Sequence, residues 1–179
     1  AVPSAVDRVL ALKGRGRQMA PPILVSSIDQ LEGLVAPEAL TDKCQRLLQR
    51  FWPGALTVIV PAHPDRGIDL GDTPGTVAVR SPHYDPLLEL IRVSGPLAVT
   101  SANKTGEQPV RSASEAINVF GDEVSVYLNA GADTETDHVP STIVDATAFV
   151  TGEEALRLIR QGAISSDELE RAGFEVEAS

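Results

Sequence analysis

The chain has 179 residues, 42% of them hydrophobic, and its 25 acidic side chains against 15 lysines and arginines give a formal net charge of −10. That length and apolar content suffice for one substantial core and exclude a disordered chain. The acidic balance disfavours wholesale nucleic-acid binding. The longest apolar run, "ALTVIV" at 55–60, is far too short for a membrane span, so no membrane partner is expected. The lone Cys44 allows no intramolecular disulfide and fits a reducing, cytoplasmic location.

In chain order, Val6, Val9, Leu10 and Lys13 fall at helical spacing over 3–13, with Gly14 as the stop. "PPILVSS" reads as a strand, and helices are expected at 28–35 and 37–51, the second with Leu40, Cys44, Leu47, Leu48 and Phe51 on one face. Pro53–Gly54 breaks that helix, and "FWPGALTVIVPA" leads into a buried strand. A Gly-, Pro- and Asp-rich loop fills 62–75, followed by a strand at "GTVAVR", a helix at "PLLELIRV" and a strand at "GPLAVTSAN". "SASEAINVFG" carries a capping box, Ser112 to Glu115, and closes at Gly121. Strands are expected at "VSVYLNAG", "STIVDAT" and "ALRLIRQ", then a short helix at 165–172. This alternation predicts an α/β domain with a mixed sheet and flanking helices.

Polar groups gather at four strand or helix ends: Lys13 with Arg15, Thr76 with Arg80, Ser101 with Asn103, and Ser141 and Thr142 with Arg160. Singly, each has a plain reading. A Lys-Gly-Arg after a helix complements the helix dipole, and "SAN" is ordinary turn composition. Arg80 at the end of a buried strand is more telling, because a guanidinium there needs an anionic partner. Together, hydroxyls and cations at sheet ends suit a phosphate or nucleotide. No Walker A or GxGxxG motif is present, and His63, His83 and His138 lack partners at metal-ligand spacing, so no protein-held metal is expected.

The order and spacing of "KGRGRQMAPPILVSS", "FWPGALTVIVPA", "GTVAVRSP", "PLAVTSANKTG", "STIVDAT" and "LIRQGAIS" closely resemble the YrdC-type threonylcarbamoyl-AMP synthases, from about residue 3 to 165. The resemblance implies a twisted YrdC-like α/β fold with a large concave ligand cavity. It implies synthesis of L-threonylcarbamoyl-AMP from L-threonine, bicarbonate and ATP, with Mg²⁺ and release of pyrophosphate. A downstream transferase complex then modifies the adenosine next to the anticodon of tRNA. Carried over residue by residue, Lys13 and Arg15 are the K-x-R pair at the ATP phosphates and the catalytic cations. Ser101 and Asn103 are the S-x-N pair, with Thr76 and Arg160 also at the nucleotide. Arg80, Val99 through its backbone, and Ser141 form the threonine pocket. Because Lys13 and Arg15 lie near a helix end, their replacement is expected to cost little stability.

The chain departs from the family where Met19 stands in place of a common Asn and Leu24 in place of a common His. The family's opening strand and turn, of the type P-T-x-T-V-Y-G-L, has no counterpart before Val2, so the natural protein is expected to continue upstream of Ala1. Residues 1–165 are expected to form the synthase domain and 166–179 a short helix and tail. Two competing readings are a paralogue that keeps the scaffold without this reaction and a module that binds RNA on the concave face. The net charge of −10 weighs against the second.

Overall fold

Thr41 opens the principal helix of the molecule by accepting a hydrogen bond from the Cys44 N–H at 3.2 Å. In the computed structural model, which describes residues 3–14, 16–18, 20–65, 75–129, 139–152 and 155–178, this helix buries Cys44, Leu47, Leu48 and Phe51, an i, i+3, i+4, i+7 stripe. The helices are α1 (Pro3–Lys13), α2 (Asp42–Phe51), α3 (Asp85–Ser94), α4 (Ala113–Phe120), α5 (Thr147–Thr151) and α6 (Ser166–Arg171). The strands are β1 (Ile23–Leu24), β2 (Leu56–Pro61), β3 (Thr76–Arg80), β4 (Leu97–Ala98), β5 (Thr142–Asp145), β6 (Leu156–Arg160) and β7 (Val176–Ala178).

The strands form one mixed sheet in the order β4-β1-β3-β2-β5-β6-β7. β1 runs parallel to β3, β2 to β5 and β6 to β7, while the β1–β4, β2–β3 and β5–β6 pairs are antiparallel. Alternation along each strand separates two faces. Leu56, Val58, Val77, Val79, Val144 and Leu156 are buried, sharing a core with Leu47 and Leu48 of α2, Phe149 of α5 and Leu169 of α6. Phe174 stacks at a tilt between Phe51 and Phe149, with ring centroids 6.2 and 6.3 Å away. The opposite face carries Thr57, Ile59, Thr76, Ala78, Arg80, Ile143 and Asp145, half-buried except for the buried Thr57. At Asp145 burial would raise the carboxyl pKa, but bonds from Arg157 and Thr147 outweigh it and hold the group below the usual carboxylate range.

One turn is pinned to this sheet with unusual closeness. The fully buried Thr142 Oγ1 accepts from the Gly162 N–H at 3.0 Å and the Ile164 N–H at 3.1 Å, and donates to the Ile164 carbonyl at 2.5 Å. A Cβ on Gly162 would stand 2.3 Å from the Pro140 carbonyl oxygen and 2.4 Å from the Ser141 carbonyl carbon. Both are backbone atoms and neither can swing away, so only glycine fits.

Several elements differ from the sequence reading. Residues 28–35 and 37–41 form only short 3₁₀ turns, Ile28–Leu31 and Pro37–Ala39, because Gly33 takes a positive φ of 74° and the α-helix starts at the Thr41 cap. Residues 124–129 of "VSVYLNAG" form no strand and leave Val126 and Leu128 about 70% exposed, while 130–131 lie outside the described residues. "STIVDAT" turns into α5 because Asp145 Oδ1 accepts from the Thr147 N–H at 2.9 Å. The segment 166–179 supplies, besides its expected helix, the edge strand β7. The helix at 3–13 and the Ser112–Glu115 capping box appear as expected, with the Glu115 N–H on Ser112 Oγ at 3.1 Å and the Arg111 N–H on Glu115 Oε2 at 2.8 Å.

Two predictions arise from this packing. Burial raises the Cys44 thiol pKa to about 11, so the folded protein should resist a thiol reagent at pH 8 and react only after denaturation. Labelling at the rate of a free thiol would contradict the placement. Gly162→Ala should lower stability by about 1–3 kcal/mol, read as a lower urea midpoint. An unchanged midpoint would show that the close approach does not exist.

Candidate functional site

Lys13 ends α1, and the chain there meets a loop from the far side of the sequence. Its ammonium donates to the Ser101 carbonyl at 2.8 Å and to both the carbonyl and Oδ1 of Asn103 at 2.5 Å, with Ser101 Oγ at 3.4 Å. Ser101 Oγ donates to Asn103 Oδ1 at 2.6 Å, Asn103 Nδ2 to the Glu107 carbonyl at 2.7 Å, and the Thr105 N–H to the Lys13 carbonyl at 3.1 Å. Charge-assisted bonds of this kind hold loop 101–107 around the ammonium. Lys13 is only 3% exposed. Its removal would take the ammonium from the carbonyl and Oδ1 of the buried Asn103, so the expectation that Lys13 is dispensable for stability is corrected. Arg15 and Met19 lie outside the described residues.

A second group stands at the other end of the half-buried sheet face. The pairings Leu24↔Arg80, Thr57↔Ile143 and Ile143↔Arg160, with Val58↔Val79 setting Thr57 beside Arg80, place these residues on one row across five strands. Paired residues share a face, so Arg80, Thr57 and Arg160 project to the same side. Arg80 Nε donates to the Gly54 carbonyl at 2.9 Å. Gly54 belongs to the turn between α2 and β2, where a Cβ would lie 2.3 Å from the Phe51 carbonyl oxygen. The "FWPG" block thus delivers the carbonyl that aims Arg80. Arg160 donates to the Ser141 carbonyl through Nε at 3.2 Å and a terminal nitrogen at 2.7 Å, and the same nitrogen lies 3.2 Å from Ser141 Oγ. Thr57 Oγ1 is 2.9 Å from Ser141 Oγ.

Burial lowers the Arg80 pKa, and the positive charge of Arg160 lowers it further. With an ordinary value so high, Arg80 stays a cation at neutral pH. Two guanidinium groups that repel across a row of hydroxyls are relieved by an anion placed between them.

Thr76 sits four residues before Arg80 on the same face, roughly 13 Å away at the usual strand rise. Because β4 is antiparallel to β1, residues 99–103 leave the sheet toward the Thr76 end, beginning with the Val99 N–H on the Pro22 carbonyl at 3.0 Å. Lys13, Ser101 and Asn103 therefore form one cluster, and Arg80, Ser141 and Arg160 another. Arg160 is bound to Ser141 rather than to the Lys13 cluster. Val99 lies on the β4 side of β1, and Leu24 stands in register with Arg80. Sequence reasoning missed Thr57, Gly54 and Gly162. For Thr57 a signal existed, one hydroxyl inside the apolar run "ALTVIV". No group of three His, Cys, Asp or Glu side chains suited to a metal occurs among the described residues. No described helix is long and apolar enough to cross a membrane. A cavity of about 450 Å³ lined by Lys43, Arg46, Arg50 and Phe174 lies between α2 and the end of α6 and shares no residue with either cluster.

The Sua5/YciO/YrdC family model, described as telomere recombination, matches residues 2–162. A Mycobacterium tuberculosis protein is 41% identical over 166 residues, covering 93% of this chain and 72% of its own length. The threonylcarbamoyl-AMP synthase of Klebsiella pneumoniae is 34% identical over 160 residues, covering 89% of this chain and 79% of the relative. A structure of Pyrococcus abyssi Sua5 complexed with L-threonine superposes with a TM-score of 0.78 at 30% identity, over 97% of this chain and 49% of that one. The chain thus spans about half of that solved structure. Escherichia coli YciO, with a TM-score of 0.73 at 16% identity, shares the fold alone. With a family model covering nearly all of its length and relatives above 30% identity, this chain belongs to the Sua5/YciO/YrdC family.

Proposed function

We propose that this protein makes L-threonylcarbamoyl-AMP from L-threonine, bicarbonate and ATP, releasing pyrophosphate, and that a transferase complex carries the product to the tRNA adenosine beside the anticodon. The observation that carries the reading is the meeting of Lys13 with Ser101 and Asn103, residues 88 and 90 positions away. These are the conspicuous polar residues of two separate family motifs, and the fold brings them within hydrogen-bond distance. The threonylcarbamoyl-AMP synthase names of relatives and the L-threonine bound by Pyrococcus abyssi Sua5 support the same reading. It places the reaction in the cytoplasm.

The chemistry is a problem of charge. Attack of the threonine nitrogen on bicarbonate forms an N–C bond and expels water, leaving an N-carboxylate. An oxygen of that carboxylate then bonds to the α-phosphorus of ATP as the bond to pyrophosphate breaks. Nucleophile and target are both anionic, so alignment and neutralisation dominate the barrier. In this reading Arg80 and Ser141 hold the threonine carboxylate, with the Val99 backbone beside it. Lys13 and Arg15 face the phosphates, and Ser101, Asn103, Thr76 and Arg160 complete the nucleotide contacts. Lys13 meets phosphate by giving a ligand oxygen a share of the ammonium now held by residues 101–103. The cations and hydroxyls of the described site suit an anion and do not fit a metal, so Mg²⁺ would arrive with the triphosphate.

Pyrophosphate release from ATP should require both threonine and bicarbonate. Release without either would mark a plain ATPase, and no release under any condition a paralogue or binding module. Arg80→Lys should raise the threonine requirement about tenfold or more, because a point charge cannot reproduce the bidentate fork. An unchanged requirement would remove Arg80 from the pocket. Threonine should be preferred over serine by roughly 10–200-fold, the worth of one methyl group. Equal use of valine would exclude a site that hydrogen-bonds the hydroxyl.

A further inference from the structure

We propose that Thr57 is a positioning residue for threonine binding, which sets the Ser141 hydroxyl as a donor toward the substrate carboxylate; this rests on the reading that Ser141 and Arg80 hold that carboxylate. Thr57 lies on β2 in the middle of the sheet, is 4% exposed, and has Ser141 Oγ, at 2.9 Å, as its hydroxyl's hydrogen-bond partner among the described residues. A buried hydroxyl on a central strand otherwise made of Leu, Val, Ile and Pro is costly without a task.

The proton count assigns that task. A serine hydroxyl has one proton and two lone pairs. Arg160 carries only donors and occupies one lone pair of Ser141 Oγ at 3.2 Å. If Ser141 gave its proton to Thr57, it would offer an anion nothing but a lone pair, and the two would repel. If Thr57 donates instead, both lone pairs of Ser141 Oγ are taken and its proton is free to point at an anion between Arg80 and Arg160. The fields of the two guanidinium groups favour an anion at that place, and an anion there selects the second arrangement. Ser141 itself is 8% exposed and anchored through its carbonyl by Arg160, so its hydroxyl direction is set mainly by these two neighbours.

The test compares Thr57→Val, which keeps the shape and deletes the hydroxyl, with Thr57→Ser, which keeps the hydroxyl. Thr57→Val should raise the KM for threonine about five- to tenfold, leave the KM for ATP within twofold, and weaken threonine binding equally in calorimetry. Thr57→Ser should stay within twofold of wild type on all three. A wild-type threonine KM in Thr57→Val would overturn the proposal. So would equal rises in both KM values, or a Thr57→Ser protein as impaired as Thr57→Val, since each marks a structural effect. If the unaltered protein bound threonine and released no pyrophosphate, the synthase reading would fail, and weaker calorimetric binding by Thr57→Val would still uphold the role of Thr57. If the unaltered protein did not bind threonine, both would fall.

Discussion

Two arginines of like charge, Arg80 and Arg160, face one another across the central row of the sheet, and the arrangement of the polar face follows from that constraint. Neither is left to move freely. Arg80 is tied to the Gly54 carbonyl and Arg160 to the Ser141 carbonyl, so the backbone fixes both cations before any ligand arrives. The turn at Gly162 and the buried Thr142 hydroxyl secure the start of β5, directly after Ser141. The hydrophobic core on the opposite face makes this rigidity possible, because β2 and β5 are held from behind by α2, α5 and the Phe174 ring. A site prearranged in this way exerts its field on a ligand without first reorganising, which is how fixed charges lower barriers between anions.

The second cluster works differently. The Lys13 ammonium is already surrounded by oxygens of residues 101–103 and is nearly shut off from solvent. It serves the fold as a bolt between α1 and loop 101–107, and in the proposed reaction it serves the phosphates as well. These two duties share one charge, and replacing Lys13 would disturb both.

Much of this was legible in the sequence, for identifiable reasons. The stripe from Cys44 to Phe51, the alternation in "TVAVR" and the Ser112 capping box are local patterns, and the structure carries all three. The polar clusters were legible as residue types at strand ends. The place of Thr57 among them was not, because it depends on strand order: β5 lies beside β2, which brings Ser141 to Thr57, while its pairing with β6 on the other side brings Arg160 to Ser141. Gly54 and Gly162 were illegible for a related reason, since their need for a bare Cα comes from backbone atoms that the fold presses against them. The failed helix at 28–35 and the missing strand at 124–129 show apolar residues whose pattern lacked the partners needed to fix a regular element.

The most direct measurement follows carbon from bicarbonate. The protein is incubated with ATP, L-threonine and ¹³C-labelled bicarbonate, and the nucleotide products are resolved by mass spectrometry. The proposed activity gives an adduct of threonine, one carboxyl carbon and AMP that is one mass unit heavier with the label than without it. An adduct of threonine and AMP lacking the label, or AMP formed with no adduct at all, would contradict it.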